Sequence, residues 1–252
     1  MNTGDLWFES RGNGEPIVLL HSALTDSRSW QALVQRMEVD HQLVRFDSRG
    51  FGKSPAAQDS YDLLTDLLSV MARAGLRSAH LVGNSMGADV AMAAAIFQRD
   101  VVRSLTLIGP GMTLETTPKE SARLMTQWRS ARADGDTAAA LEAARVLWLG
   151  SQEQAQRTLE TIADPRSYRA MKVGTVPDFE ISDLARIAVQ VLILVGAADD
   201  AAILDSARLL ASTIRGSRIA EIPDARHHPQ EDQPDRVAQI LSGFVAEAAR
   251  IK

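Results

Sequence analysis

The sequence contains no cysteine among its 252 residues. This absence excludes disulfides, thiolate metal sites and a cysteine nucleophile. Long apolar runs are also missing, because the longest, residues 191–198, is far shorter than the roughly 20 residues that a membrane-spanning helix needs. The segment MNTGDLWFES has neither the basic nor the apolar region of a secretory signal. We therefore expect a cytoplasmic protein that does not enter membranes.

Basic residues are fewer than acidic residues. The chain has 27 lysines and arginines against 32 aspartates and glutamates, which gives a formal net charge of −5. The basic residues are scattered, so no segment could neutralise a phosphate backbone, and nucleic acid is not expected as a partner. Apolar residues make up 45% of the chain, which is sufficient for a large buried core.

Apolar segments of strand length alternate with helical segments along most of the chain. Strands are predicted at residues 6–11, 17–20, 43–46, 80–82, 104–108, 191–195 and 218–222. Several of them, such as Ile17-Val18-Leu19-Leu20, are unbroken apolar runs of the kind found in buried parallel strands. Because this alternation is typical of a parallel layered sheet, we predict an α/β fold with a doubly wound, mostly parallel sheet.

The alternation stops after Gly109-Pro110-Gly111, and no strand is predicted between residues 112 and 177. Helical stretches replace it, at residues 118–133, 136–149, 151–163 and 165–173. We interpret this segment as a helical lid inserted into the core. The predicted organisation is a first core part at 1–111, a lid at 112–180 and a second core part at 181–252.

Apolar side chains of the predicted lid are candidates for a substrate pocket. We single out Leu124, Trp128 and Trp148, although each could instead serve only to pack the lid on the core. The lid also carries three arginines that could meet a substrate carboxylate, Arg123, Arg129 and Arg132. Surface helices commonly carry such residues, so none of the three is selected.

The stretch LVGNSMGADVAMA, residues 81–93, predicts a strand, a sharp turn and a helix with Ser85 at the tip of the turn. Such a turn forces the serine toward a positive φ, and the glycines two residues to either side remove side chains that would collide. The turn lifts the Ser85 hydroxyl out of the sheet, and the first N–H groups of the helix can stabilise a developing oxyanion. We therefore predict that Ser85 is a nucleophile.

A serine nucleophile needs a base in contact and an acid that orients the base. Acidic residues, Asp199 and Asp200, follow one predicted strand, and imidazoles, His227 and His228, follow the next. Because parallel strands end at one edge of a sheet, these side chains are expected to converge with Ser85. The order Ser, Asp, His is that of the nucleophile-elbow class, but register alone does not separate the two neighbours in either pair.

These motifs resemble those of the α/β-hydrolase superfamily, in the same order along the chain. They are HSAL at 21–24, with Ser22 where the superfamily usually has glycine, DSRGFGKS at 47–54, the turn at 83–87, GAAD at 196–199 and HHP at 227–229. The resemblance implies that Ser85 is the nucleophile, His227 the base and Asp199 the orienting acid. It further implies that the backbone N–H groups of Ala23 and Met86 form the oxyanion hole.

The identity of the nucleophile narrows the expected chemistry. A carboxylate would suggest epoxide or haloalkane chemistry, whereas serine implies attack on a carbonyl and an acyl-enzyme, with no metal or cofactor. The short lid and the first loop look most similar to the 3-oxoadipate enol-lactonase branch and its esterase and cofactor-free haloperoxidase relatives. This resemblance implies hydrolysis of a small-molecule ester or lactone. Two alternatives stay open, a carbon-carbon bond hydrolase acting on a ring-cleavage dienoate and a receptor that retains the triad with slow turnover.

Other polar residues near these motifs are expected to have structural roles. Asp47 and Arg49 are predicted to hold their loop together, and His21 is interpreted as structural. Asp89 is unusual in the apolar helix that follows Ser85. We expect its carboxyl to be a buried, hydrogen-bonded support rather than a catalytic group.

Overall fold

A seven-stranded, mostly parallel sheet lies at the centre of the fold in the computed structural model, which describes residues 5–111 and 118–250. The strands are β1 (Phe8–Arg11), β2 (Glu15–Leu20), β3 (His41–Phe46), β4 (Ala79–Asn84), β5 (Val102–Ile108), β6 (Gln190–Gly196) and β7 (Arg218–Ile222). Their spatial order is β1-β3-β2-β4-β5-β6-β7, and only β1 is antiparallel to its neighbour. The predicted α/β fold class is therefore confirmed.

Ten α-helices accompany these strands within the described residues. They are α1 (Gln31–Met37), α2 (Leu63–Arg73), α3 (Met86–Phe97), α4 (Lys119–Asp134), α5 (Thr137–Leu147), α6 (Gln152–Ala163), α7 (Pro165–Val173), α8 (Ala201–Thr213), α9 (Pro229–Asp232) and α10 (Pro234–Ala248). Helix α8 begins directly after Asp200, whose carboxylate accepts a hydrogen bond from the Ala202 N–H and caps the helix. Within 5–111 and 118–250, no helix is long and apolar enough to cross a membrane.

Helices cover both faces of the sheet, which explains the unbroken apolar runs of its strands. Alternate residues of β2 face opposite sides: Val18 packs with α2, α3 and α8, and Ile17 packs with α1 and α10. Both side chains are fully buried. Burial on two faces disfavours unpaired polar side chains inside the strands, and two of those present, His80 of β4 and Ser104 of β5, hydrogen-bond to each other at 2.7 Å. The candidate catalytic side chains lie instead at the carboxyl edge of the sheet, where ligands bind in such folds.

The described part of the predicted lid consists of α4 to α7, which lie between β5 and β6 in the chain. Side chains cap the N-termini of α5, α6 and α7. Asp136, Ser151 and Asp164 each accept a hydrogen bond from a backbone N–H in the first turn of the following helix. Apolar side chains of these helices form a cluster of their own, which Leu24 of the core joins. Residues 112–117, at the start of the predicted lid, lie outside the described residues.

One expectation for this segment is wrong, because it contains a strand. Residues Gly174–Thr175 pair in parallel with Tyr61–Asp62 as a separate two-stranded sheet. Two residues are too few to produce a strand periodicity in the sequence, which is why the pattern gave no signal. This small sheet connects the end of α7 to the start of α2.

Close packing at Gly87 gives a prediction about stability. A Cβ atom on Gly87 would lie 2.2 Å from the backbone oxygen of Leu20, which cannot move without disturbing β2. We expect Gly87→Ala to lower the free energy of unfolding by at least about 2 kcal/mol, since overpacking of a rigid core has roughly that effect. Gly243→Ala is the matched control, because nothing lies within 4 Å of its Cβ position in α10. The free energy of unfolding of the control, measured by urea denaturation, should rise by about 0.5–1 kcal/mol. Equal effects of the two variants would contradict the close packing of Gly87 against Leu20.

Candidate active site

Ser85 occupies the strained turn that the sequence predicted between β4 and α3. Its φ is 51° and its ψ is −115°, so a residue with a side chain adopts a conformation that normally favours glycine. The turn is held because the Ser85 N–H donates to the Ile108 carbonyl at 2.9 Å. A Cβ on Gly83 would lie 2.1 Å from the Gly87 carbonyl oxygen, so the close approach of strand and helix requires a glycine. The Ser85 side chain is thereby placed half-buried at the carboxyl edge of the sheet.

His227 and Asp199 form a buried pair at the same edge. The His227 Nδ1 lies 3.0 Å from the Asp199 Oδ2, and both side chains are almost completely excluded from solvent. Asp199 follows β6 and His227 follows β7, so the two adjacent parallel strands bring them together. In this arrangement Nδ1 carries the proton toward the carboxylate, which leaves Nε2 as the basic nitrogen.

The two neighbouring candidates have other partners. The Asp200 carboxylate caps α8 through the Ala202 N–H at 2.9 Å and accepts from the Ser121 hydroxyl at 2.8 Å. His228 is buried and its Nε2 lies 3.1 Å from the Ser22 hydroxyl. Asp200 and His228 therefore do not form a pair like that of Asp199 and His227.

Asn84 ties the histidine loop to the turn that carries Ser85. Its side-chain amide donates to the carbonyls of Ile108 and His227, both at 3.1 Å, and its carbonyl accepts from Gln230 at 3.3 Å. Among the residues that the structure describes, no hydrogen bond joins the Ser85 hydroxyl to His227 itself. Contacts of this type often tighten only when substrate is bound. The structure thus places the two groups on segments fixed to each other.

Space on the other side of the His227 ring is limited by Gly109. This glycine has a φ of 51°, and a Cβ at its position would lie 2.9 Å from the His227 Nδ1. Trp148, at the end of α5, contacts the imidazole with ring centroids 6.1 Å apart and accepts a hydrogen bond from the His227 N–H at 3.3 Å. The histidine is therefore confined between the sheet edge and the predicted lid.

All three predicted pocket residues lie inside the apolar cluster of α4 to α7. Leu124, Trp128 and Trp148 are each less than a tenth exposed. The two indole rings pack edge to face with centroids 5.4 Å apart. Of the three, only Trp148 contacts His227 in the described part of the chain. Leu124 and Trp128 support Trp148 from within the cluster.

The backbone N–H groups of Ala23 and Met86 have no acceptor among the described residues. Met86 is the first residue of α3, where N–H groups have no partner within the helix. Helix starts also carry partial positive charge. Free donors of this kind are what a developing oxyanion requires.

Ser22, which stands where the superfamily usually has glycine, holds the loop around Ala23. Its hydroxyl lies 3.1 Å from His228 Nε2, 3.2 Å from the Leu24 N–H and 3.2 Å from the Thr25 hydroxyl. Burial and the neighbouring His227 hold the pKa of His228 well below its usual range, so the ring is neutral. Its Nδ1 is buried without a partner, so the proton belongs on Nε2, where it is donated to Ser22. Ser22 then accepts from His228 and Leu24 and donates to Thr25, which uses the full capacity of a hydroxyl.

Other polar residues have the structural roles that the sequence predicted. The Asp47 carboxylate accepts from the N–H groups of Ser27 and Lys53 at 2.8 and 2.9 Å. Arg49 makes a buried ion pair with Asp66 at 2.8 Å. His21 Nε2 accepts from the N–H of Ser48 at 3.0 Å. These contacts fix the loops after β2 and β3.

Asp89 differs from expectation. No side chain or backbone group among the described residues makes a hydrogen bond or ion pair with its carboxyl group, so the expected hydrogen-bonded support is wrong. Burial raises the pKa of Asp89 to about 7. An apolar helix can thus carry a carboxyl group without a partner, which the sequence pattern alone did not reveal.

The three lid arginines do not form an anion site. Arg123 is exposed and pairs with Glu120 at 2.6 Å. Arg132 is buried and donates to the Ile162 carbonyl and to the Ser167 hydroxyl. Arg129 is exposed on α4. The hypothesis that one of them meets a substrate carboxylate therefore gains no support from the structure.

Sequence reasoning missed several residues of this site. Asn84 occupies the variable position of the G-x-S-x-G pattern, so nothing in that pattern marks it. Ser22 and His228 were both noted in the sequence, but the contact between them spans 206 positions and no local pattern predicts it. Gly109 is identified only by the ring that lies against it.

Known proteins resemble this chain in sequence and in fold. Residues 17–240 match the profile of the alpha/beta hydrolase family. The chain is 26% identical over 243 residues to 3-oxoadipate enol-lactonase 1 of Acinetobacter baylyi, with coverage of 92% of this chain and 89% of that protein. It is 27% identical over 268 residues to a 2-hydroxy-6-oxononadienedioate/2-hydroxy-6-oxononatrienedioate hydrolase of Escherichia coli, with 95% and 90% coverage. A thermophilic esterase from Thermogutta terrifontis superposes with a TM-score of 0.81 at 26% identity, covering 96% of this chain and 93% of that one.

The contact between Ser22 and His228 predicts coupled effects on stability. Ser22→Ala and His228→Ala should each destabilise the protein, because each leaves a buried polar partner unsatisfied. The double variant should be less destabilised than the sum of the two, with a coupling of about 0.5–3 kcal/mol. The measurement is a double-mutant cycle of unfolding free energies in urea. Strict additivity would show that the two side chains do not interact.

The raised pKa of Asp89 predicts a pH-dependent stability difference. The folded state retains a proton that the unfolded chain releases near the usual pKa of an aspartate. Ionising Asp89 in the folded state therefore lowers the free energy of unfolding. This loss of stability is absent below about pH 4, grows as the pH rises and is complete above about pH 7. Asp89→Asn should therefore melt several degrees higher than the wild type at pH 8 and no higher at pH 4. Asp205→Asn, an exposed acid on α8, should show no such trend. A difference that does not depend on pH would contradict the unpaired carboxyl.

Proposed function

The chain belongs to the alpha/beta hydrolase family, and we propose that it is a serine hydrolase that cleaves a small carboxylic ester or lactone through an acyl-enzyme on Ser85. One observation carries the proposal. A serine with a φ of 51° at the head of α3 lies on a segment tied by Asn84 to a buried His227–Asp199 pair. Strain of this kind persists only where the surroundings enforce it, and it clusters at functional sites.

The proposed reaction begins with attack of the Ser85 hydroxyl oxygen on the substrate carbonyl carbon. His227 Nε2 accepts the hydroxyl proton, and the Asp199 carboxylate stabilises the resulting imidazolium through Nδ1–H. The carbonyl oxygen becomes an oxyanion, for which the N–H groups of Ala23 and Met86 are the donors. His227 then returns the proton to the leaving alkoxide as the ester bond breaks.

The second half of the reaction repeats these roles with water. His227 removes a proton from a water molecule, which attacks the carbonyl carbon of the acyl-enzyme. The same two N–H groups receive the oxyanion, and the Ser85 oxygen leaves with the proton from His227. In a lactone the alkoxide stays attached to the acyl group, so the product of this cycle is one hydroxy acid.

The substrate class is supported by the names of the relatives, a 3-oxoadipate enol-lactonase and a thermophilic esterase. We assign the pocket to Leu124, Trp128 and Trp148, because their cluster closes over His227 through Trp148. A carbon-carbon bond hydrolase is the second candidate, since the Escherichia coli relative named above is covered over 90% of its length. A panel of esters, lactones and vinylogous diketones separates the two, because the second candidate predicts preference for the diketones.

The assigned roles predict a steep loss of activity in Ser85→Ala. The variant should fold, since alanine suits the turn no worse than serine, while kcat falls by about 10⁴ to 10⁶ as expected for a triad nucleophile. A fluorophosphonate probe should label Ser85 in the wild type and leave the variant unlabelled. Full ester hydrolysis by the variant, or labelling elsewhere, would end the assignment.

The neighbouring acids provide a matched test of the orienting carboxylate. Asp199→Asn should lower kcat by about 10⁴, because the amide favours the wrong tautomer of His227. Asp200→Asn should keep activity within a few-fold, because Asp200 caps α8 and contacts Ser121 instead. The measurement is kcat on p-nitrophenyl acetate for both variants. The reverse order would move the role to Asp200.

A further inference from the structure

Asp89 shares the open face at the start of α3 with Ser85. In this helix residues 87, 88 and 90–96 are buried, whereas Ser85, Met86 and Asp89 are only half-buried. Residues three and four positions apart lie on one face of a helix, so these three open to the same side. The Asp89 N–H also donates to the Ser85 carbonyl at 3.3 Å. The Cα atoms of Asp89 and Ser85 thus lie about 6 Å apart along the helix axis.

This carboxyl group has no partner in the described parts of the chain. Asp89 is half-buried rather than enclosed, so its carboxyl group is accessible from outside the fold. Desolvation without compensation raises the pKa of Asp89 to about 7, so a large fraction is ionised at neutral pH and nothing neutralises it. The group is therefore available for contact with a molecule outside the fold.

The basic residues of the protein do not supply that contact. The buried arginines within 5–111 and 118–250 are each engaged elsewhere: Arg45 by Glu9, Arg49 by Asp66 and Arg132 by the Ile162 carbonyl and Ser167. Asp89 therefore has no partner among the described residues. None of these three arginines is free to bind an anion either. The electrostatic complement of this site is a substrate with positive charge.

We infer that Asp89 is a specificity residue that binds a cationic amino group of the substrate, separated from the scissile carbonyl by a short chain. The inference rests on the proposed function and names its substrate class as amino-substituted esters or lactones. A substrate ammonium group would donate a charge-assisted hydrogen bond to the Asp89 carboxylate, which has no such donor among the described residues. A neutral isostere would leave the same carboxylate desolvated and unpaired.

Two matched substrate pairs test the inference, one for each side of the ester. On the acyl side, p-nitrophenyl 6-aminohexanoate is compared with p-nitrophenyl heptanoate, in which a methyl group replaces the ammonium. On the alcohol side, 2-(dimethylamino)ethyl acetate, whose protonated amine keeps one N–H, is compared with 3-methylbutyl acetate, in which a CH group replaces that nitrogen. In at least one pair the wild type should favour the cation by 10-fold or more in kcat/KM. Asp89→Asn should abolish that preference, chiefly because kcat/KM falls for the cationic member of the pair.

Asp205→Asn is the charge-matched control. It removes one negative charge from the exposed face of α8 and should retain the full preference of the wild type. Equal kcat/KM within both pairs for the wild type would overturn the inference. Retention of the preference in Asp89→Asn would overturn it as well.

A binding measurement separates this inference from the proposed function. n-Pentylammonium should raise the melting temperature of the wild type and of Ser85→Ala but not that of Asp89→Asn, and n-pentanol should have no effect that depends on Asp89. If no ester is hydrolysed but this stabilisation is present, the proposed function fails while the cation site stands. If esters are hydrolysed but pentylammonium acts equally on all three proteins, the cation site fails alone.

Discussion

The strained turn at Ser85 is the constraint on which the rest of this site depends. A side chain at a φ of 51° is tolerated there because strand β4 and helix α3 meet without side chains between them. The contact of Gly87 with the Leu20 backbone fixes the helix against the sheet, and the bond from Ser85 N–H to Ile108 fixes the turn to the next strand. The serine is therefore held by backbone contacts, which explains how a half-buried, accessible side chain can have a fixed position.

The loops around this turn are linked to one another rather than held separately. Asn84 joins the turn to the carbonyl of His227, and Ser22 joins the loop of Ala23 to His228. Each bond connects a residue adjacent to one proposed catalytic group with the loop that carries another. A shift of the histidine loop would thus be transmitted to the proposed oxyanion donors. Coupling of this kind holds a reacting geometry within the narrow limits that catalysis needs.

The sequence predicted what local patterns encode. Glycine spacing around Ser85 identified the turn, and apolar runs such as that of β2 identified the sheet, because both reflect constraints within a few residues. Register alone did not separate Asp199 from Asp200, and only the family resemblance favoured Asp199. In the structure Asp199 contacts His227, whereas Asp200 caps α8. The sequence also could not predict that the Asp89 carboxyl group lacks a partner, because this depends on which polar groups the other elements place near it.

The central claim is that Ser85 becomes acylated during turnover. Its most direct test is rapid quenching of the wild-type protein with p-nitrophenyl acetate, followed by mass spectrometry of the peptide that contains Ser85. The account predicts an acetyl adduct on Ser85 that forms with the burst of p-nitrophenol, decays as fast as turnover requires and is absent from Ser85→Ala. Steady turnover with Ser85 unmodified at every time point would contradict it.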